Sequence, residues 1–425
     1  MILTIILIFL VGYACITLEA PLGINKSAIA IVTGVLCWTV YALFSPDQTV
    51  VASELKHHVG GIVEILLFLL SAMTIVELID AHKGFNAITN RITSTNRRKL
   101  LWIFAILTFF ISACLDNLAT AIVMITLLRK LIKHADERKY YAGIIIIAAN
   151  AGGAWSPIGD VTTTLLWLGG RVSTLGIMQS AFIPSLLCML IPTLVLSFKF
   201  KGETERIKTD MKPYLEDEKV NGSKRMLLLG VGALMFAPIY KTLTNLPPYM
   251  GTMFGLAVVW ITSELLHVDK SEQERKPFSA VAALSKIDSA SVLFFFGILS
   301  AVACLESTHI LGNLADLMDA NVGDKRYIVI AIGFVSAVID NGALVAATMG
   351  MYPLTDFPMD NTLWNLVAFC AGTGGSMLII GSAAGVAVMS MEKIDFVWYF
   401  KHISVLAFLG YASGVVYFLV TGSRI

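Results

Sequence analysis

Three aspartates, Asp116, Asp160 and Asp340, fall inside or beside stretches that are otherwise apolar. A carboxylate at the centre of a bilayer costs at least ~2.5–3.5 kcal/mol, and no Lys or Arg accompanies these three at that depth. Desolvation disfavours the charged form. Such a group is therefore neutralised by a proton or by a metal cation, and competition between the two for one carboxylate is the minimal chemistry of cation/proton exchange. Ser112 and Ser336 each precede an aspartate by four residues, which puts hydroxyl and carboxylate on one helix face. Asn117, Asn341 and Asn150 add amide oxygens, and Thr162 and Thr163 add hydroxyls beside Asp160. An all-oxygen set suits a small hard cation. Plainer roles compete with this one. Asp and Asn are good helix N-caps, and Thr162 to Thr164 can bond back to their own helix. Glu64 reads as a proton stop, an element of a cavity edge or a structural residue. Glu77, Glu264 and Glu306 read as interfacial, His57, His58 and His309 as loop residues, and Gly60-Gly61 as a helix start. The six cysteines form no CxxC pair and read as small apolar side chains.

These residues recur at matched spacing. Ser112-Ala-Cys-Leu-Asp116-Asn117 and Ser336-Ala-Val-Ile-Asp340-Asn341 share the pattern SAxxDN at an offset of 224. Gly152-Gly153 through Gly159 and Gly374-Gly375 through Gly381 match at an offset of 222. In the first glycine segment Pro157 removes an amide donor, and the paired glycines lower the cost of leaving helical geometry. Stretches 139–168 and 362–390 are therefore expected to be helices broken mid-membrane. Unwound backbone survives in a bilayer only against protein or a water-filled cavity.

The elements that must carry these residues are membrane spans. Of 425 residues, 56% are hydrophobic and 14% charged, mean hydropathy is +0.77, and net charge is +1. This excludes an ordinary soluble enzyme and gives no basic face for nucleic acid. Continuously apolar runs argue against a β-barrel. Ten spans are expected near 2–18, 24–44, 59–80, 139–168, 174–198, 226–240, 248–267, 290–306, 362–390 and 398–421, the first being retained because no basic residue precedes Ile2. The SAxxDN stretches 99–133 and 326–352 either cross once or re-enter as hairpins. Charge decides: Lys and Arg favour cytoplasmic loops. Hairpins with both termini outside put 25 of the 31 Lys and Arg inside, whereas single crossings put 12 inside and 19 outside. The expected fold is thus an all-α polytopic membrane protein of ten transmembrane helices plus two re-entrant hairpins. Residues 1–198 and 226–425 form two repeats around a cytoplasmic linker, 199–225. Five spans per half make the second repeat inverted, the plan of secondary transporters.

SAxxDN in both halves, with NAGGAWSPIGDVTT after the first, resembles the NhaD-type sodium/proton antiporters of the ion-transporter superfamily, from about residue 59 to the end. The resemblance implies a scaffold domain and a transport domain moving as an elevator, usually within a homodimer. It implies cation-handling roles for Ser112, Asp116, Asn117, Asn150, Asp160, Thr162, Thr163, Ser336, Asp340, Asn341 and Ser376. Among these, Asp116 and Asp340 would be the main carboxylates shared by proton and cation, Na⁺ would bind at Asp116, Asn117, Asp340 and Asn341, and Asp160 would assist. The second broken segment, GGSMLIIGSAAG, departs from the first and offers only Ser376 and Ser382 as side-chain oxygens. The expected activity is exchange of cytoplasmic Na⁺ or Li⁺ for external H⁺ at the plasma (inner) membrane. Membrane lipid and small cations are the expected partners, with no enzyme activity and no cofactor. Na⁺-coupled uptake of a dicarboxylate-like anion is the alternative within the superfamily, although a carboxylate at each tip would repel such an anion at low dielectric. An intramembrane aspartyl protease is the alternative from another class, but a duplicated inverted chain suits alternating access better.

Overall fold

Short polar residues punctuate the apolar runs and set where helices begin. In the computed structural model, which describes residues 1–84, 94–204, 222–287, 289–338 and 341–421, Asn25, Asp47, Asn96, Ser173, Asp324 and Asn361 each accept a hydrogen bond from a backbone N–H in the first turn of the helix that follows. The first half contains α1 (Ile2–Thr17), α2 (Lys26–Phe44), α3 (Gln48–Ala81), α4 (Arg97–Cys114), α5 (Asn117–Leu131), α6 (Ala135–Gly153), α7 (Val161–Leu168) and α8 (Thr174–Lys199). The second contains α9 (Ser223–Thr244), α10 (Pro248–Leu266), α11 (Ala280–Lys286), α12 (Ser289–Ser307), α13 (Ile310–Val322), α14 (Lys325–Val335), α15 (Asn341–Met351), α16 (Thr362–Gly374), α17 (Ala383–Glu392), α18 (Phe396–His402) and α19 (Ser404–Thr421). The described residues are nearly all helical, and six of these helices are long and apolar enough to cross a membrane. The chain is an all-α membrane protein.

Burial separates the helices into kinds. α6 is buried without a break from Tyr141 to Gly153, and α16 from Leu363 to Gly374. A helix apolar on every side belongs at the centre of a bundle. α1, α2, α9 and α10 instead turn Leu3, Leu10, Val35, Leu43, Leu228, Leu243 and Leu265 outward. So much exposed apolar surface is stable only against lipid. Packing forms two groups. In one, α2 lies on α12, α3 on α10 and α12, and α9 on α10. Ser27 Oγ donates to the Ala290 carbonyl (2.6 Å) and Trp38 Nε1 to the Ser300 carbonyl (2.8 Å), tying α2 to α12. In the other, α6 contacts α4, α5, α8 and α17, α14 and α19 contact α16, and α8 contacts α19. α15 touches both groups, through α12 and through α7.

Three features differ from the sequence expectation. The span expected at 59–80 starts eleven residues earlier, so His57, His58 and Gly60-Gly61 lie inside α3 rather than in a loop or at a helix start. Asp47 caps that longer helix through its bond from Thr49 N–H (2.8 Å). The last span divides into α18 and α19. α13 was not foreseen: its apolar residues fall on one face only, burying Leu311 and Ala315 and leaving Leu314 and Leu317 exposed.

Candidate cation site

The two glycine-rich segments leave helical geometry where the sequence places the breaks. α6 stops at Gly153 and α7 starts after Asp160; α16 stops at Gly374 and α17 starts after Ser382. Two of their glycines admit neighbouring backbone. A Cβ on Gly152 would fall on the Phe109 carbonyl of α4, and one on Gly374 would fall on the Gly333 carbonyl of α14. The serines of SAxxDN repeat the match: Ser112 Oγ donates to the Ala149 carbonyl (2.6 Å), and Ser336 Oγ to the Ala371 carbonyl (2.7 Å). Each SAxxDN segment is thus fastened to the end of the half-helix that precedes a break, where unpaired carbonyls carry partial negative charge.

Side chains converge between the breaks. Asn117 Nδ2 donates to Asn150 Oδ1 and to Asp160 Oδ1, both at 3.0 Å. Thr162 Oγ1 donates to Asp160 Oδ2 at 2.7 Å. Asn150 Nδ2 donates across to the second break, to Ser376 Oγ (2.9 Å) and Ser382 Oγ (3.0 Å). Asp160 is 4% exposed, and Asn150 and Thr162 are fully buried. The described residues of this network include no Lys or Arg. A buried carboxylate needs hydrogen bonds or an opposite charge to stay ionised, and Asn117 and Thr162 supply two such hydrogen bonds to Asp160. The Asn117 amide stands at equal distance from two oxygens that a cation could hold together.

Other expected residues surround this cluster. Thr163 is fully buried, and its Oγ1 donates to the Gly153 and Asp160 carbonyls, tying one half-helix to the next. Asn341 is buried beside Ser336, whose Oγ lies 2.6 Å from Asn341 Oδ1. Asp116 is only half-buried and its Oδ2 accepts from the Leu118 and Ala119 N–H groups, so it caps α5. Asp340 lies outside the described residues. Ser382 and Gly372 take a larger part than the sequence reading gave them. A Cβ at Gly372 would meet Thr162 Oγ1 at 3.2 Å and Asp160 Oδ2 at 3.3 Å. Ser382 stands 222 residues after Asp160, so the repeat offset alone marks it.

A family profile described as "Citrate transporter" matches residues 13–368. "Sodium/proton antiporter 1" of Arabidopsis thaliana is 48% identical over 97% of this chain and 71% of its own length. "Sodium/proton antiporter 2" of the same plant is 45% identical over 97% of this chain and 98% of its own. The "Na(+)/H(+) antiporter NhaD" of Vibrio cholerae is 31% identical over 98% and 91%. The chain belongs to the citrate-transporter family, among the NhaD-type antiporters. It is a transporter and not an enzyme.

Within this family member the two breaks are unequal. Residues at the repeat offset pair Asp160 with Ser382, Asn150 with Gly372 and Thr162 with Ala384. The first NhaD-type segment supplies the charge and most of the oxygens, and the second supplies two hydroxyls and the space at Gly372. Tyr399 fixes the second segment by donating to the Ser376 carbonyl (2.8 Å).

Proposed function

We propose that this protein exchanges cytoplasmic Na⁺ or Li⁺ for external H⁺ across the plasma membrane. The observation that carries the reading is Asp160, buried where two helix breaks meet and surrounded in the described network by uncharged oxygens and amides. One carboxylate with neutral oxygens balances one monovalent charge. With Na⁺ bound, Asp160 is ionised, the Asn117 amide turns its oxygen toward the ion in place of its NH2, and the Asn150 amide oxygen, the Thr162 hydroxyl and Ser376 complete the shell. With Na⁺ absent, a proton on Asp160 removes the cost of the buried charge. Either occupant lets the site move, and an empty charged site does not, which couples the two flows. Asp116 and Asp340, with Ser112, Ser336 and Asn341, handle the proton and cation at the hairpin tips. The relatives' names support Na⁺ and H⁺ as cargo. The family's descriptive name points to citrate, but a citrate site needs cationic or amide-rich surroundings and not a buried carboxylate.

The geometry also supports an inverted repeat with elevator-type movement. α2 packs on α12 while α10 packs on α3, and α5 packs on α17 while α15 packs on α7. Such reciprocal exchange is what a pseudo-two-fold axis produces. α14 and α15 have eleven residues each, about 16 Å of helix against a hydrocarbon core of about 30 Å, so each is too short to cross. The group centred on α6 and α16 would be the transport domain, and the group of α2, α3, α9, α10 and α12 the scaffold. The scaffold would also carry the contact of a homodimer. Both termini would lie outside.

The test uses everted membrane vesicles acidified by respiration and read with a pH-sensitive dye. Na⁺ or Li⁺ dequenches the dye with the wild-type protein, and Asp160→Asn abolishes the response. Full exchange in Asp160→Asn, or succinate or citrate uptake without cation-driven proton flux, overturns the proposal.

A further inference from the structure

A second constellation lies away from the cation site, where α5 and α17 end and α6 begins. Glu392, with a fully buried side chain, accepts from Arg129 Nε (2.6 Å) on α5 and from Arg138 Nε (3.0 Å) on α6. Arg138 Nη1 also donates to the Ile132 and Lys133 carbonyls, at 3.1 and 2.9 Å. These groups line a cavity of about 360 Å³ together with Lys139, Met391 and Lys393. The cavity lining holds four cations and one carboxylate, and that carboxylate is consumed by two arginines. Arg129 remains 43% exposed after pairing, and Lys393 is exposed. Lys139 pairs with Asp136, whose side chain is 94% exposed to solvent, so that pairing is weak. Asp395 is engaged in capping α18. The cavity therefore keeps an excess of positive charge that nothing in the described residues cancels.

The neighbourhood indicates what would cancel it. α18 follows Lys393 by two residues and turns Phe396, Val397 and Phe400 outward, while Trp398 lies under the Lys139 ammonium, 5.8 Å from ring centroid to Nζ. A basic cavity at the ends of helices, bordered by exposed aromatic rings, has the chemistry of a headgroup site with acyl chains alongside. We propose that this cavity binds the phosphate headgroup of an anionic phospholipid of the cytoplasmic leaflet. The placement rests on the topology proposed above, which puts Arg129, Arg138, Lys139 and Lys393 on the cytoplasmic side. A headgroup there bridges α5 and α6 of the first half to α17 of the second, beside the ion pairs that already join them.

The test is lipid retention by the purified full-length protein, measured by native mass spectrometry after delipidation and titration with phosphatidylglycerol or phosphatidylcholine. The variant is the double substitution Lys139→Gln with Lys393→Asn. It leaves both ion pairs of Glu392 intact, and Asn tolerates the left-handed backbone of Lys393 (φ 50°). Phosphatidylglycerol is expected to bind the wild-type protein in preference to phosphatidylcholine, and about thirtyfold more weakly to the variant. Asp160→Asn is expected to keep wild-type lipid binding, so failure of the exchange reading does not decide this test. Equal retention of the two lipids, or unchanged affinity in the double variant, overturns the proposal. So does displacement of the lipid by millimolar inorganic phosphate, which would make the site one for the free anion.

Discussion

At the scale of single residues, the candidate cation site separates charge from geometry, and substitutions can do the same. Asp116 both caps α5 and carries a carboxylate. Asn caps as well as Asp, so Asp116→Asn is expected to melt within about 0.5 kcal/mol of wild type and yet to lose at least tenfold in exchange rate. Asp116→Ala is expected to lose about 1 kcal/mol of stability in addition. Differential scanning of the detergent-solubilised protein, paired with the vesicle assay, measures both, and wild-type exchange in Asp116→Asn would leave this residue only its capping role. Asn150 has a different part: it joins the two breaks through Ser376 and Ser382. Asn150→Ala removes donors to two buried hydroxyls and an acceptor for Asn117, so the Na⁺ concentration for half-maximal dequenching is expected to rise about tenfold or more. The sequence made much of this visible, because buried acids without basic partners are conspicuous in apolar runs. It did not show which acid the network encloses. Asn117 and Asp160 are 43 residues apart and Asn150 and Ser376 are 226 apart, and spacing along a chain says nothing about such distant pairs. The residues alone name Asp116 and Asp340 as the main carboxylates with Asp160 assisting; among the described residues, Asp160 is the carboxylate bonded to both Asn117 and Thr162.

At the scale of elements, glycine positions state how closely helices approach. Gly152 against Phe109 and Gly374 against Gly333 bring α4 and α14 onto the broken helices backbone to backbone. Gly152→Ala and Gly374→Ala are each expected to destabilise by about 1–3 kcal/mol, the cost of overpacking. Gly60→Ala on α3, where nothing stands within 4 Å, is expected to be neutral or to stabilise by up to about 1 kcal/mol. Thermal melting in detergent distinguishes the two kinds, and equal effects at all three positions would refute the close-approach reading. Strong periodic or continuous apolar runs made the large helices legible. The start of α3 was not legible because Glu54, Lys56, His57 and His58 make its first three turns look like a loop, although Asp47 caps them. α13 escaped because a helix with one buried face carries too little apolar surface to read as a span. Where α3 ends, His82 is buried and its Nδ1 bonds to the Leu78 carbonyl (2.7 Å), while its ring stacks on His267. Burial, with Lys270 nearby, lowers its pKa below the usual 6.5. The unfolded chain then takes up a proton that the folded chain refuses. Stability is therefore full above about pH 6.5 and falls as pH drops below it. Melting temperature is expected to decline on acidification from pH about 7 to about 5 and to decline less in His82→Gln; identical slopes would refute the assignment.

At the scale of the whole molecule, the question is which way the bundle faces, since the direction of exchange depends on it. The hairpin topology gathers 25 of 31 Lys and Arg on one side, and Lys and Arg resist translocation. In the proposed topology the basic cavity around Glu392 and the loop between α10 and α11 would share the cytoplasmic side, while the loop between α15 and α16 would lie outside. Asp269 and Asp356 are exposed residues in those two loops, and the native cysteines are buried or half-buried, so background labelling is low. Asp356→Cys is expected to react with a membrane-impermeant maleimide in intact cells, and Asp269→Cys only after permeabilisation. The same experiment separates re-entrant hairpins from single crossings. If 99–133 and 326–352 each crossed the membrane once, the middle of the chain would invert relative to its ends. Asp269→Cys would then label from outside, while Asp356→Cys, beyond the second crossing, would keep its outward side. That one reversal would also turn the charge bias to 12 inside against 19 outside and remove the inverted relation on which a shared midplane site depends. A protected Asp269→Cys thus supports the distribution of charge, the hairpins and the alternating access of Asp160 together.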